Sequence, residues 1–477
     1  MRSSVLLRWT VLAGSWFMAG LVWAGEPATL DIGSGRELLV DDFLIDRIDG
    51  AAELYLHKPI PREVVFVGDR DWEGNICAHF TVFRDDDRYR MYYRGQDYDE
   101  QAKKPSAHKV ICYAESSDGR HWVRPELGLV SFEGSSRNNI IIDCLSGAAR
   151  NGAFAVFKDA NPNGLPETRY KALALHTKNG NGLYPYGSPD GVHWSLMADT
   201  PVITEGAFDS QNLAFWDAAR HEYRAYWRYF DQRIRAIRTA TSPDFLDWSE
   251  PVELRYPGAP REHLYTNGVL AYDRAPHLFV GFPTRFLPDR KSLTEGVFMT
   301  SRDGETFHRW GEAIIRPGLN ADRWYNRSNY IWWGLVQTES SRAGTPPELS
   351  IYSHEAYYRG AAVKLRRFTY RLDGFVSLRA RMAGGEMVTK PLTFSGKTLE
   401  INYATGAAGE VRVEIQESDG RAIPGYALAD CPEIIGNQIE RSVAWKGGGD
   451  VSPLAGRPIR LRFVLKDAHL YAIGFRP

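Results

Sequence analysis

Cysteine is scarce in this chain: four in 477 residues, Cys77, Cys112, Cys144 and Cys431. No two stand close enough for a metal knuckle, and four cannot frame a chain of this length with disulfides. They read as buried thiols or one or two bridges, which spacing does not pair. Net charge is missing too. The 58 basic and 59 acidic residues leave a formal −1, and no basic block offers the footprint that nucleic acid or a membrane surface needs. Long apolar runs are confined to the start, where Val5 to Val22 follows Met1-Arg-Ser-Ser and ends in Val22-Trp-Ala24 before Gly25. This predicts a secretory signal over residues 1–24 and a periplasmic or secreted protein. An uncleaved anchor is the competing reading, because the stretch nearly reaches spanning length and Arg8 interrupts it. No second run of that length occurs, so the mature chain is expected to have no membrane partner.

What is present is repetition. A turn phrase recurs as Ser116-Ser-Asp-Gly-Arg-His-Trp122, Ser188-Pro-Asp-Gly-Val-His-Trp194, Ser242-Pro-Asp-Phe-Leu-Asp-Trp248, Ser301-Arg-Asp-Gly-Glu-Thr-Phe307 and, degraded, Arg371-Leu-Asp-Gly-Phe375. The intervals between its aspartates run from 54 to 72 residues, a period that suits propeller blades built of short strands. Each phrase follows an apolar run such as Val110-Ile-Cys-Tyr-Ala114. Asp can therefore accept backbone N–H bonds in a turn, and Gly can supply a positive φ. The five aspartates read as struts, not catalysts.

Between phrases an apolar first strand, a charged hairpin and a second strand often rich in Tyr recur five times. The fold class expected is all-β: a five-bladed β-propeller over residues 25–380, then a β-sandwich over 385–477, where alternating strands continue without the phrase. Gly384-Gly385 is the expected joint, and an early strand around Leu38 to Ile45 is expected on one blade's edge.

In a propeller the first strands run along the central axis, so the residues entering them converge. The entries are Asp71-Trp-Glu-Gly-Asn75, Arg150-Asn151, Phe208-Asp-Ser-Gln-Asn212, Arg261-Glu-His-Leu-Tyr-Thr-Asn267 and Trp324-Tyr-Asn-Arg-Ser-Asn329. Asn75, Asn151, Asn212, Asn267 and Asn329 recur in register, which favours backbone capping. Carboxylates do not recur, and that makes Glu73, Asp209 and Glu262 the candidate catalytic groups, with Asp71 beside them. Glycosidic hydrolysis needs one carboxyl group to protonate the leaving oxygen and another to activate water or attack the sugar. Trp72, Trp324 and Tyr325 offer flat faces for sugar rings, and His263, Tyr265 and Gln211 offer polar contacts. Arg150, Arg261 and Arg327 could grip a carboxylate or sulfate. His79 reads as a core or lumen residue. No ligand spacing announces a metal, an axial calcium included, and no cofactor is indicated.

Blade number, turn phrases, acidic strand entries and the trailing sandwich together resemble the five-bladed propeller glycosidases of the invertase, levansucrase and arabinanase type. That resemblance implies a first-blade acidic nucleophile or base, a second-blade stabilising Asp and a third-blade Glu acid. Here the second entry holds Arg150-Asn151 with no carboxylate, and the group's Trp-Met-Asn-Asp-Pro, Arg-Asp-Pro and Glu-Cys signatures are absent. The roles therefore shift to Glu73 as base or nucleophile, Asp209 as modulator and Glu262 as acid. The expectation is a secreted glycoside hydrolase acting on an oligo- or polysaccharide, anionic in one version. The alternatives are a carbohydrate-binding propeller without catalysis, and a sialidase-like hydrolase using an arginine triad and Tyr265 or Tyr325. Sugar, linkage and oligomeric state are not legible.

Overall fold

The computed structural model describes residues 29–477; the signal or anchor expected over residues 1–24 lies outside the described residues. Strands and short 3-10 turns make up the regular structure among them, and no helix there is long and apolar enough to cross a membrane.

Five four-stranded antiparallel sheets form the five blades. Blade one comprises Ala78–Asp85, Arg88–Gly95, Val110–Ser116 and Ile140–Asp143, from axis to rim. Blade two runs from Ala155–Lys158 through Tyr170–His176 and Gly182–Ser188 to Ser195–Leu196, and blade three from Leu213–Asp217 through Glu222–Asp231 and Ile234–Ser242 to Val252–Glu253. Leu270–Tyr272, Ala275–Gly281, Met299–Ser301 and Phe307–Arg309 make blade four. Blade five takes Val336–Thr338, Glu348–Glu355 and Lys364–Arg371 from the end of the repeat, and its rim strand, Ile60–Val67, from the beginning. This last pairing joins the start of the repeat region to its last blade and so closes the ring. The inner strands of blades five and one also touch, through a Thr81–Trp333 bridge. Gly334 makes that approach feasible: its φ is +141°, and a Cβ there would run into the Val82 carbonyl.

The turn phrases act as struts in four blades. In each, the aspartate accepts two backbone N–H bonds, as Asp118 does from Arg120 and His121 at 2.8 and 2.9 Å. The preceding serine hydroxyl takes the N–H three residues on, Ser116 from Gly119 at 2.9 Å. The same geometry recurs at Asp190, Asp244 and Asp303. The degraded fifth copy does a different structural job. Asp373 is fully buried and accepts from Arg36 Nη1 (3.1 Å), Arg274 Nε (2.9 Å), the Tyr272 hydroxyl (2.7 Å) and Asn402 Nδ2 (3.1 Å). It ties blade four to the N-terminal strands and to the C-terminal sheet. Burial alone would raise its pKa, but Arg274 and Arg36 outweigh burial and hold it below the usual carboxylate range.

The C-terminal β-sandwich is built from long strands, Val376–Thr389, Thr398–Glu417 and Ile459–Arg476. Shorter alternating strands are expected here from sequence. Register shifts at Ala380/Gly385 and Thr405/Glu410 instead break each long strand without ending it, and such irregularities let one strand bend across both layers. Leu399, Val411, Val413, Phe463, Leu465 and Phe475 fill the interior. The edge strand expected near Leu38 to Ile45 is placed differently. Arg36–Leu38 pairs with Ile459–Arg476, and Ile45–Leu56 pairs with Val376–Thr389, so the N-terminal segment adds to the sandwich, not to a blade. Long-range pairing of this kind leaves no local mark in the sequence.

Candidate functional site

Strands alternate in direction, so one end of the propeller gathers the entries of first strands together with the exits of second strands. At this mouth lies an axial pocket of about 230 Å³, lined by His79, Arg94, Lys109, Asn151, Asp209 and Arg327, and by the aromatics Tyr265, Tyr330, Trp332, Tyr357 and Tyr358. Two grooves flank it. One, of about 510 Å³, shares Lys109 with the pocket and extends past Arg150 and Thr177. The other, of about 700 Å³, shares Arg327 and Tyr358 and extends past Trp324 and Tyr325. The far end of the axis holds a cavity of about 400 Å³ walled mainly by apolar side chains of the inner strands, among them Phe157, Phe215 and Trp333.

Of the three candidate carboxylates, Asp209 alone lines the axial pocket. Its side chain is 67% exposed and ion-paired with the buried Arg228. Glu73 lies outside the pocket lining. It has no exposed surface and accepts from Arg124 Nε (2.9 Å), the Tyr93 hydroxyl (2.6 Å) and the Arg70 N–H (3.1 Å). Burial raises its pKa against the pull of Arg124, yet no substrate can reach it. Glu262 is likewise occupied, by Arg285 at 2.6 and 2.8 Å and by Arg309, away from the pocket. The structure thus does not bring the three together, because two of them serve as counter-charges for arginines inside blades.

The remaining expected contacts divide in the same way. Asn151, Tyr265 and Arg327 line the pocket. Tyr265 lies between two guanidinium groups, 4.6 Å from Arg228 and 5.0 Å from Arg235. Arg327 sits 4.9 Å over Tyr358, with a φ of +54°. Arg150 and Trp324 line the flanking grooves. Asp71 is exposed outside the pocket, and Trp72 binds Asn139 within blade one at 2.9 Å. Asn75, Asn212, Asn267 and Asn329 cap backbone carbonyls, for instance Asn75 Nδ2 to Gly360 at 2.9 Å and Asn329 Nδ2 to Arg323 at 2.9 Å. Gln211 spends its amide on Phe80 O and Thr81 Oγ1. His263 accepts from the Arg235 N–H at 3.2 Å, and burial lowers its pKa. Arg261 pairs with Asp231 on the surface.

Several pocket residues escape a reading based on first-strand entries alone. Arg94 ends the second strand of blade one, Lys109 precedes its third, and Tyr357 and Tyr358 follow the second strand of blade five. The alternation of strand direction is the signal that would have found them. His79 reaches the pocket through a bulge. Its φ is +57°, and pairing with the neighbouring strand skips between Ala78 and Thr81. Bulges re-aim side chains in this way, and strained backbone gathers at sites where a side chain's direction matters. The His79 pKa falls well below the ordinary value, first through burial and then through Arg94 and Lys109, so its ring is neutral. His354 supports the wall from behind: it binds Trp332 Nε1 (3.2 Å) and the Arg327 carbonyl (2.8 Å) and stacks on Tyr330 and Tyr357. No group of three or more His, Cys, Asp or Glu that could hold a metal occurs among the described residues.

No family model matches this chain, and no curated protein matches it. Some solved structures are similar to it over part of its course. One described as a glycoside hydrolase is 10% identical, covers 86% of this chain and 100% of its own, and has a TM-score of 0.42. An N-acetylgalactosamine deacetylase from F. plautii, in complex with blood group B trisaccharide, is 14% identical over 67% of this chain and 96% of its own, at 0.41. A glycosyl hydrolase from Bacteroides ovatus is 12% identical over 69% and 97%, at 0.38. At such identity the likeness says nothing of activity, and the functional reading rests on the pocket.

Proposed function

We propose that this protein is an exported glycosidase whose axial pocket holds the reacting sugar and whose flanking grooves hold its neighbours. The observation that carries this reading is the composition of the pocket: one accessible carboxylate, Asp209, faces aromatic rings suited to sugar faces and several hydrogen-bond donors. Hydrolysis breaks the bond between the anomeric carbon and the bridging oxygen, places the water's hydroxyl on that carbon and leaves a proton on the departing oxygen. With Asp209 the sole pocket carboxylate, both proton movements fall to it. Protonated, it gives to the leaving oxygen; ionised, it takes the proton from the incoming water. This departs from the two-carboxylate scheme expected with Glu73 and Glu262, neither of which lines the pocket; Asp209 also pairs with an arginine, Arg228, but its side chain is 67% exposed at the mouth.

The second reading is a propeller that binds carbohydrate without cleaving it, favoured by the absence of a second carboxylate from the pocket lining. One experiment separates the two. The purified mature chain is screened for product release against a panel of oligo- and polysaccharides, with Asp209→Asn in parallel. The glycosidase reading expects release by the wild type, falling at least about a hundredfold in Asp209→Asn, the usual worth of a positioned acid–base group, with binding retained. Binding without release by either protein establishes the second reading instead. N-terminal sequencing of the exported chain tests the cleavage expected after Ala24.

A further inference from the structure

Buried arginines in this protein are as a rule matched to carboxylates: Arg36 to Asp373 at 3.1 Å, Arg367 to Glu63 at 3.0 Å, Arg228 to Asp209. At the axial pocket the rule breaks. Arg94, only 9% exposed, spends Nη2 on the Ile76 carbonyl and the Tyr357 hydroxyl, both at 2.8 Å, while its buried Nε has no partner. Lys109 reaches the Arg150 carbonyl at 3.2 Å. Arg327 bonds the neighbouring Asn326 amide at 3.0 Å and lies over Tyr358. None of the three forms an ion pair among the described residues, and Asp209, the acid of the pocket lining, pairs with Arg228 and not with them.

Arg94 is buried and Lys109 and Arg327 are half-buried, and withdrawing a cation from water without a counter-charge is unfavourable. Burial, and then Arg94, lowers the pKa of Lys109. Beside them stand two further unsatisfied groups, the buried Nδ1 of His79 and the hydroxyl of Tyr330. A neutral sugar leaves the charges uncompensated; a sugar with a negative group supplies what the protein omits. We infer that the axial pocket takes a sugar residue bearing an anionic group, a carboxylate or a sulfate, with Arg94, Lys109 and Arg327 as its counter-charges. This rests on the reading of the pocket as a carbohydrate site. It differs from the fork expected from sequence, since Arg261 is paired on the surface and Arg150 stands in a groove, leaving Arg327 as the one shared member.

The test uses two matched pairs of ligands: oligogalacturonate with its carboxyl-reduced derivative, and a sulfated oligogalactan with its desulfated derivative. Affinity is measured by calorimetry for the wild type, Lys109→Met and Arg327→Met; Arg94 is spared because its burial puts folding at risk. In at least one pair the charged member should bind tighter by about tenfold or more, the worth of one charge-assisted hydrogen bond. The pair that responds tells carboxylate from sulfate. Each substitution should weaken the charged ligand by a similar factor and leave its neutral partner unchanged, and raising salt from about 50 mM to about 500 mM should shrink the difference. Equal binding of charged and neutral members in both pairs, or charge preference untouched by both substitutions, overturns the inference. Product release is followed in the same samples. Neutral glycans cleaved as well as charged ones would sink the inference and keep the glycosidase; salt-dependent binding of a charged glycan that is never cleaved would do the reverse.

Discussion

Replacing Glu73 with Gln separates a structural carboxylate from a catalytic one. In the native protein its two oxygens receive Arg124 Nε and Nη2 at 2.9 and 3.1 Å, the Tyr93 hydroxyl at 2.6 Å and the Arg70 N–H at 3.1 Å. An amide oxygen at the Oε1 position keeps the Tyr93 and Arg124 Nε bonds. The amide nitrogen then confronts Arg124 Nη2 and the Arg70 N–H, donor against donor. Breaking a buried pair by removing one charge costs roughly 3–5 kcal/mol. Two terms reduce this: Asp69, 3.3 Å from Arg124, remains as a partial counter-charge, and the neutral amide escapes the burial cost that raises the Glu73 pKa. A net loss of about 2–3 kcal/mol follows, or about 4–6 °C in the unfolding midpoint at roughly 2 °C per kcal/mol. Differential scanning calorimetry measures the shift, and turnover is assayed well below the midpoint. Turnover within about twofold of the wild type is expected, because no substrate reaches a fully covered side chain. A variant with an unchanged midpoint and no turnover would return Glu73 to the chemistry.

Asp190 has its pKa lowered to about 2; burial opposes this, but bonds from the His193 and Val192 N–H groups prevail. Its contribution to stability is therefore present above the ordinary Asp value and lost as pH falls toward about 2, so Asp190→Asn should flatten the acid limb of a stability-against-pH curve; an unchanged limb contradicts the strut. Asp373→Asn keeps a residue that tolerates the φ of +61° but strips the charge facing Arg36 and Arg274, and should cost about 3–5 kcal/mol in equilibrium unfolding, with earlier protease cleavage between propeller and sandwich. Gly334→Ala drives a methyl group into the Val82 carbonyl and should lower the midpoint of unfolding measurably. Trp324→Ala, at a 56% exposed position in a flanking groove, should weaken longer oligosaccharides by about 1–2 kcal/mol and leave the shortest unaffected; equal loss for all lengths would place its role elsewhere.

The blade count and register were legible because the turn phrase is local chemistry: Ser, Asp and Gly satisfy one another within a few residues, so the fold writes it into contiguous sequence. The closure of blade five by Ile60–Val67 and the joining of Ile45–Leu56 to the sandwich were not, since both depend on pairing across some three hundred residues. The first-strand entries point to Asp209, Asn151, Tyr265 and Arg327, which line the axial pocket. Arg94, Lys109 and Tyr357 were missed because they come from the other strand ends at the same mouth. Glu73 and Glu262 attracted notice as unrepeated acids, but non-recurrence cannot tell an acid serving a substrate from one serving Arg124 or Arg285.

The proposed carbohydrate site is Asp209 with the cationic axial pocket around it. A crystal structure of Asp209→Asn with the tightest-binding oligosaccharide of the panel tests it most directly. The expected density is a sugar ring in the axial pocket, within hydrogen-bond distance of residue 209, its charged substituent against Lys109 or Arg327 and neighbouring rings in the flanking grooves. A ligand seated on the C-terminal sandwich or in the apolar cavity at the far end of the axis, with the mouth empty, would contradict it.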